Sequence, residues 1–193
     1  MRVSLREIPG PWDQGWALDK HSIKSTYLGD DAYGHARFDT ERTEVGEATY
    51  QLKYQHDWNQ VDPLAQALAE NIFQKLQNVG FIVPMPASIS RHRQPVTEVA
   101  QRLGSIVKKP VFLDVLLKAG NGKSLKDFNT KGEKVEAIGE SFSVNDGIDG
   151  SGPWNVLVVD DLFHTGASME AAFKVLRSYL KVRKIYVASL TWR

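Results

Sequence analysis

The chain contains no cysteine, which excludes disulfide frameworks, thiolate metal sites, iron–sulfur clusters and cysteine nucleophiles. An excess of either charge is also missing, because 24 lysine and arginine residues are set against 23 acidic ones and the net charge is +1. The sequence therefore gives no overall basic field for nucleic acid, although a local basic patch is not excluded. Without a compartment signal, a cytoplasmic location is the default expectation.

Long apolar runs are absent too, so the sequence predicts no membrane span and no membrane partner. Residues 1–9 mix Arg2, Arg6 and Glu7 into a short apolar pattern that does not resemble a signal peptide. The 193 residues, of which 42% are hydrophobic, are enough for one compact domain. Within residues 1–193 we expect residues 1–50 to form an N-terminal extension and residues 78–193 to form the core.

Hydrophobic spacing predicts the regular elements. Residues 1–50 are rich in glycine, threonine and aromatic residues but lack a helical period, so short strands and turns are expected there. A helix is predicted from Asp62, which can cap it, through Pro63 in the first position to Leu76. Two further helices and four strands are expected, the helices over Val96–Ile106 and Met169–Leu180 and the strands over 81–83, 111–113, 156–159 and 185–190.

This alternation of strands and helices indicates an α/β fold. Parallel neighbouring strands need crossover connections, and helices supply them, so a central parallel sheet flanked by helices is expected. Ligands of such sheets bind beyond the carboxyl ends of the strands. The informative residues should therefore follow Val83, Leu113 and Val159.

The segment after Val159 carries the clearest chemical pattern. Asp160 and Asp161 form a carboxylate pair, and the turn His164–Ser168 can direct N–H groups and hydroxyls at a phosphate in front of a helix. Gly166 lets the backbone approach that ligand closely. Adjacent carboxylates repel each other, and the vicinal hydroxyls of a sugar beside a metal ion relieve that repulsion. A sugar carrying a 5′-phosphate fits both parts.

Three simpler interpretations compete with this one. The acid pair could cap a turn before an ordinary helix N-terminus, which stays open although the order of the pieces after a buried strand disfavours it. A phosphoryl-accepting receiver domain is disfavoured because too little chain follows Asp161. A dinucleotide-binding loop at Gly147, Gly150 and Gly152 fails because these glycines precede a strand.

The run VLVVDDLFHTGASM, Val156–Met169, resembles the phosphoribosyl pyrophosphate (PRPP) signature of type I phosphoribosyltransferases. The wider context is similar to the ComF-like, amidophosphoribosyltransferase-like branch of that family, without its cysteine zinc ribbon. The resemblance covers roughly residues 48–193. Its supporting positions are Leu52-Lys53-Tyr54, Pro84-Met85-Pro86, Arg91, Arg93 and Glu140–Val144.

This resemblance implies a type I phosphoribosyltransferase fold with a small hood-like or β extension at the N-terminus. It also implies transfer of the phosphoribosyl group of PRPP to a nitrogenous base or related acceptor, with magnesium as cofactor and release of pyrophosphate. A homodimer is compatible with it. The aromatic residues Trp12, Trp16 and Tyr33 could stack the acceptor, but core packing is the commoner role of such residues.

Site roles follow from the resemblance position by position. Asp160 and Asp161 would be catalytic and hold the ribose hydroxyls, with magnesium held mainly by substrate and touched at most through water. The 5′-phosphate would be held by His164, Thr165, Gly166, Ala167 and Ser168, where the family commonly has threonine in place of His164. The pyrophosphate side would be formed by Pro86, Ala87, Ser88, Arg91 and Arg93. Further candidates for neutralising charge are Lys53, Lys118, Lys123, Lys126 and Lys131, with residues 118–131 in the place of the family's flexible lid.

A second function stays open at this point. The same site could serve a non-catalytic sensor of PRPP or nucleotides, or a ComF-like protein that meets a partner in DNA uptake. The histidines His21, His35, His56 and His92 show no metal-ligand spacing, so we expect them on the surface or in packing. The sequence does not identify the acceptor.

Overall fold

The computed structural model describes residues 1–87, 92–119 and 141–193. The strands are β1 Arg6–Glu7, β2 Gln14–Lys20, β3 Lys24–Asp30, β4 Ala36–Glu41, β5 Val79–Pro84, β6 Leu116–Lys118, β7 Phe142–Val144, β8 Trp154–Phe163 and β9 Val182–Trp192. The α-helices are α1 Glu44–Tyr54, α2 Val61–Asn71, α3 Pro95–Val107 and α4 Ala167–Arg177. Short 3₁₀ turns cover Trp58–Gln60 and Phe73–Lys75.

A five-stranded sheet in the order β1-β2-β9-β8-β5 forms the centre. Strands β2, β9, β8 and β5 are parallel, and only β1 runs antiparallel to its neighbour. Helices cover both faces of the sheet. Buried side chains of α1, α2 and α3 pack in the hydrophobic cluster on one face, and those of α4 pack in the cluster on the other face. The predicted α/β class, with a central parallel sheet flanked by helices, is confirmed.

Strand β8 shows why the sheet is buried on both sides. Leu157 and Val159 pack into the cluster under α1–α3, whereas Val156 and Val158 pack into the cluster under α4. Because successive side chains of a strand point to opposite faces, a continuous apolar run is what a doubly covered parallel strand requires. The end of β8 is thereby held firmly between β5 and β9.

The N-terminal part contributes more to the sheet than the sequence analysis expected. Strand β2 lies between β1 and β9, with Ala17 paired to Ser189 in parallel register. Helix α1 was not predicted, although Thr43 caps it by accepting a hydrogen bond from the Gly46 N–H at 2.9 Å. Strands β3 and β4 form a separate two-stranded hairpin, which matches the expected small β extension.

Three local predictions were wrong. Helix α2 begins at Val61 and ends at Asn71, so Asp62 lies in its first turn and Leu76 lies beyond it, because a 3₁₀ turn interrupts the pattern. The predicted strand at 111–113 is reduced to a bridge between Val111 and Ile82. Leu180 is 91% exposed, since α4 ends at Arg177 and its apolar face stops there. Among the described residues, no helix is long and apolar enough to cross a membrane.

Candidate functional site

The acid pair lies within β8 rather than after it. Strand β8 continues to Phe163, and Asp160 is paired in register with Ser189 of β9. The two carboxylates have different neighbours, because Asp161 contacts Lys53 of α1 whereas Asp160 lies in the fields of both Lys53 and Lys118 of β6. The carboxyl edge of the sheet thus presents two acids beside two lysines that come from other parts of the chain.

Lys53 and Asp161 form the shortest ion pair at this edge, with Nζ 2.5 Å from Oδ2. Both side chains are largely covered, with 28% of the lysine and 15% of the aspartate exposed. Burial opposes the charged form of Lys53, but the Asp161 carboxylate outweighs it and raises the pKa of Lys53 above its ordinary value. The lysine therefore stays protonated and neutralises one of the two acids.

Asp160 is the other member of the pair and is in a different electrostatic state. Burial, followed by the negative charge of Asp161, raises the pKa of Asp160 to about 7, against the opposing effects of the Asp161 N–H, Lys53 and Lys118. The Asp161 N–H donates to the Asp160 carboxylate at 2.8 Å. Burial also lowers the pKa of Lys118, which Asp160 partly offsets. A carboxyl group that lies in a cleft and whose pKa is raised this far is typical of a functional site.

A cleft of about 280 Å³ opens beside the acid pair. It brings together residues from the strand ends of β5 and β8, from α1, from β6 and from the starts of α3 and α4. Its lining includes the predicted site residues Lys53, Pro86, Ala87, Lys118, Asp160, Asp161 and Ser168, with Met85, Gln94, Pro95 and Val96 beside them. Seven residues proposed from sequence for one site therefore share one cavity.

The predicted phosphate turn leads from β8 into α4. Gly166 is the N-cap of α4 with a φ of +79°, a backbone conformation that favours glycine. Ser168 borders the acid-pair cleft, whereas His164 and Thr165 border a second cleft of about 440 Å³ together with Arg6 and Trp192. The turn is thus placed as predicted at the N-terminus of a helix, but its side chains are divided between two cavities.

Several predicted residues lie away from the acid-pair cleft or outside the described part. Arg93 does not line it, because its guanidinium donates to Glu98 at 2.7 Å and stacks 4.0 Å from the centre of the Trp58 ring. The predictions for Ser88, Arg91, Lys123, Lys126 and Lys131 fall on residues outside those that the structure describes.

His21 belongs to the surroundings of the site, which the sequence analysis missed. It follows β2, is 9% exposed, and its Nδ1 lies 3.1 Å from the Thr191 hydroxyl. Thr191 in turn donates to the Asp161 carbonyl oxygen at 2.9 Å. The sequence signal for this contact is a pair of polar residues, His21 and Thr191, at the ends of β2 and β9. It is informative only once β2 and β9 are known to be neighbours in the sheet, and the sequence did not predict that.

The donor set near Asp160 and Asp161 can be compared with the needs of magnesium. Mg²⁺ requires an octahedron of oxygen ligands and usually keeps several waters or substrate oxygens. The described residues contain no group of three or more histidine or acidic side chains arranged to hold a metal. Two adjacent carboxylates fit a magnesium ion that is held largely by a ligand's phosphate oxygens.

Comparisons with known proteins give results at the level of structure only. No family model and no curated protein matches the sequence. The glutamine PRPP amidotransferase of B. subtilis is similar over 83% of this chain and 34% of its own, with 14% identity and a TM-score of 0.52. Adenine phosphoribosyltransferase of Leishmania tarentolae is similar over 94% of this chain and 78% of its own, with 12% identity and a TM-score of 0.48.

A hypothetical protein from Neisseria gonorrhoeae, solved with bound ppGpp, is similar over 68% of this chain and 66% of its own, with 17% identity and a TM-score of 0.45. This chain therefore spans about a third of the amidotransferase and about two thirds of the Neisseria protein. Identities this low bear on the fold alone. The chain has the central parallel sheet and flanking helices of the type I phosphoribosyltransferase fold, which the similarity to the amidotransferase supports.

Proposed function

We propose that the protein is a phosphoribosyltransferase that binds PRPP with Mg²⁺ and transfers the phosphoribosyl group to a nitrogenous base or related acceptor. The observation that carries this proposal is the cleft in which Asp160, Asp161 and Lys53 meet the start of α4 at Ser168. One wall is suited to sugar hydroxyls and the other to a phosphate. A phosphorylated pentose with vicinal hydroxyls would meet both walls.

The acid pair would bind the ribose. Asp160 and Asp161, which both line the cleft, would accept hydrogen bonds from the vicinal 2′- and 3′-hydroxyls of the ribose. The 5′-phosphate would lie at the N-terminus of α4, where the first-turn N–H groups have no partner within the helix and the helix dipole favours an anion. The turn His164–Ser168 would thus position the sugar at its far end.

Displacement at the anomeric carbon passes through a state in which the ribose ring becomes positively charged. The carboxylates of the acid pair would stabilise that charge from the hydroxyl side, and the lysines would offset the charge of the departing pyrophosphate. Lys53 and Lys118 both line the cleft and are the described lysines placed for this role. Mg²⁺, when bound, would neutralise pyrophosphate oxygens.

The first experiment is calorimetric titration of PRPP with Mg²⁺ into the wild type and the Asp160→Asn/Asp161→Asn variant, with circular dichroism to confirm folding. The Asp30→Asn/Asp31→Asn variant is the matched control, because it also neutralises two adjacent aspartates, but in the β3–β4 hairpin. We expect binding by the wild type and the control and at least about a hundredfold weaker binding by the site variant. Equal binding by all three proteins would contradict the proposal.

Turnover separates the enzyme from a non-catalytic sensor. Once binding is established, pyrophosphate release is measured with a panel of purine, pyrimidine and pyridine acceptors. Release that depends on PRPP, Mg²⁺ and one acceptor supports the transferase. Binding without release across the whole panel would favour the sensor, or a protein that uses the site to regulate contact with a partner. Sedimentation of the same samples tests the expected homodimer.

A further inference from the structure

We propose that His21 is a positioning residue for the acid pair, acting through the Thr191 hydroxyl on the peptide group of Asp161. This inference rests on the function proposed above, because it concerns the same ribose-binding carboxylates. It goes beyond the signature residues, since His21 lies outside the resemblance and well before it in the chain. The role is indirect, because His21 would hold the backbone of Asp161 in place through Thr191, and that backbone would position the Asp161 carboxylate.

The hydrogen bonds run across the ends of three neighbouring strands. Thr191 Oγ1 has one hydrogen and donates it to the Asp161 carbonyl oxygen at 2.9 Å. It can therefore only accept from His21, whose Nδ1 lies 3.1 Å away and must carry the proton. Imidazole, hydroxyl and carbonyl thus form one directed row from β2 across β9 to β8.

Burial makes this row rigid. Thr191 is fully buried and His21 is 9% exposed, so water competes little for either bond. The backbone of His21 is also fixed, because its N–H donates to the Trp192 carbonyl oxygen at 2.9 Å. Because the His21 backbone and the Thr191 side chain are both held in place, the position of His21 restricts where the Asp161 carbonyl oxygen can lie.

The charges around His21 keep the ring neutral. Burial, then the positive charges of Arg193, Arg42 and Lys53, lower the pKa of His21, against the opposing effect of Asp161. Arg193 directly follows β9, Arg42 directly precedes the N-cap of α1, Lys53 lies in α1, and Asp161 lies in β8. A neutral ring with Nδ1 protonated leaves the ion pair of Lys53 and Asp161 undisturbed.

Helix α1, which brings Lys53 to the acid pair, packs against His21. A Cβ at Gly46 would lie 2.1 Å from the His21 carbonyl oxygen, so α1 packs directly against the His21 backbone. Asp161 is thereby set from two sides, with its carbonyl oxygen held by Thr191 and its carboxylate held by Lys53. His21 lies next to both contacts.

The test uses four variants of the full chain. His21→Phe keeps a ring and removes the donor, and Thr191→Val keeps the shape and removes the hydroxyl. His21→Asn and Thr191→Ser are the conservative partners, since each keeps a hydrogen-bonding group at the same place. Thr40→Val is the matched control, because it removes a hydroxyl that bonds Ser25 at 3.0 Å in the β3–β4 hairpin.

Two readouts are measured in folded variants. The affinity for PRPP with Mg²⁺ should fall about three- to tenfold in His21→Phe and in Thr191→Val and be nearly restored in the conservative variants. Amide exchange in the ligand-free protein should become about tenfold faster at Asp161–Phe163 but not at Val156–Val159. A merely structural role would speed exchange along all of β8 or leave the affinity unchanged.

Each outcome decides the inference. Wild-type affinity in folded His21→Phe, or exchange that changes uniformly along β8, overturns it. If the wild-type protein binds no PRPP, the proposed function fails by itself. The local exchange at Asp161–Phe163 then decides whether His21 positions this peptide group, and unchanged exchange there overturns the inference.

Discussion

Lys53 of α1 reaches Asp161 of β8, and the 2.5 Å between Nζ and Oδ2 joins a helix near the start of the chain to the strand that carries the acid pair. The contact is one half of an asymmetric arrangement. Asp161 is matched by a lysine in direct contact, whereas burial and its charged neighbour raise the pKa of Asp160 to about 7. Two adjacent residues of one type thus have different surroundings, because Asp161 forms an ion pair with Lys53 while Asp160 is strongly desolvated.

The first prediction concerns the lysine. Lys53→Met removes the positive charge next to Asp161, so both carboxylates lose a stabilising neighbour and the pKa of Asp160 should rise further. We expect carbon-13 NMR of the aspartate carboxyls to show this rise, and PRPP affinity to fall about tenfold or more. Lys174→Met, on the exposed side of α4, should change neither quantity. An unchanged Asp160 titration in folded Lys53→Met would contradict an effect of the Lys53 charge on Asp160.

The second prediction concerns stability and pH. The pKa of Asp160 is raised on folding from 3.8 to about 7, so between these values the folded chain binds more protons than the unfolded chain. The contribution of Asp160 to the free energy of unfolding therefore falls as pH rises from about 4 to about 7.

Asp160→Asn removes this titration. We expect the variant to be more stable than the wild type at pH 8, by about 1 kcal/mol or more, and the difference to shrink towards pH 5. Urea unfolding at both pH values measures it. A wild type that is the more stable protein at pH 8 would show that Asp160 is not a destabilising charge.

The third prediction concerns the turn before α4. Gly166→Ala places a Cβ at positive φ and 3.2 Å from the Phe163 ring, so we expect a loss of about 1 kcal/mol of stability and weaker PRPP binding. Gly34→Ala is the matched control, because Gly34 has a φ of +80° with nothing within 4 Å of the added Cβ. Its strain should leave PRPP binding unchanged. Equal PRPP affinities of the two variants would argue against a ligand at this turn.

The fourth prediction concerns the packing of α1. Gly46→Ala would set a Cβ 2.1 Å from the His21 carbonyl oxygen, so helix and strand must separate and unfolding should be easier by about 1–3 kcal/mol. Gly147→Ala, whose nearest neighbour would be 3.5 Å away, should change stability by less than about 0.5 kcal/mol. Thermal unfolding compares the two. Similar melting temperatures would mean that α1 can shift without loss.

The sequence predicted the parts of the fold that depend on local pattern. The buried run at 156–159 and the periodic apolar faces of α3 and α4 indicate their elements directly, because burial on a doubly covered sheet requires them. Asp160, Asp161 and Ser168 could be predicted because they lie in one continuous segment. Their shared cleft follows from the rule that strand ends of a parallel sheet bind ligands.

What the sequence did not predict depends on contacts between distant segments. Helix α1 buries only three apolar side chains, those of Val45, Ala48 and Leu52. Their spacing is helical, but so few apolar positions among polar neighbours are a weak signal. The pairing of β2 with β9 joins segments more than 150 residues apart and leaves no local mark. The role proposed for His21 depends on that pairing. Arg93 forms an ion pair with Glu98, and sequence spacing alone cannot distinguish such an arginine from one that binds a ligand.

The place of β2 in the sheet sets a limit on how the chain can be shortened. A protein that starts after His21 would keep the whole signature segment but would leave β9 with one side unpaired. Open edges of buried, apolar strands pair with other chains, so such a fragment should aggregate rather than fold around an intact site. Strands β1 and β2 therefore protect the edge of β9 in the sheet that contains the acid pair.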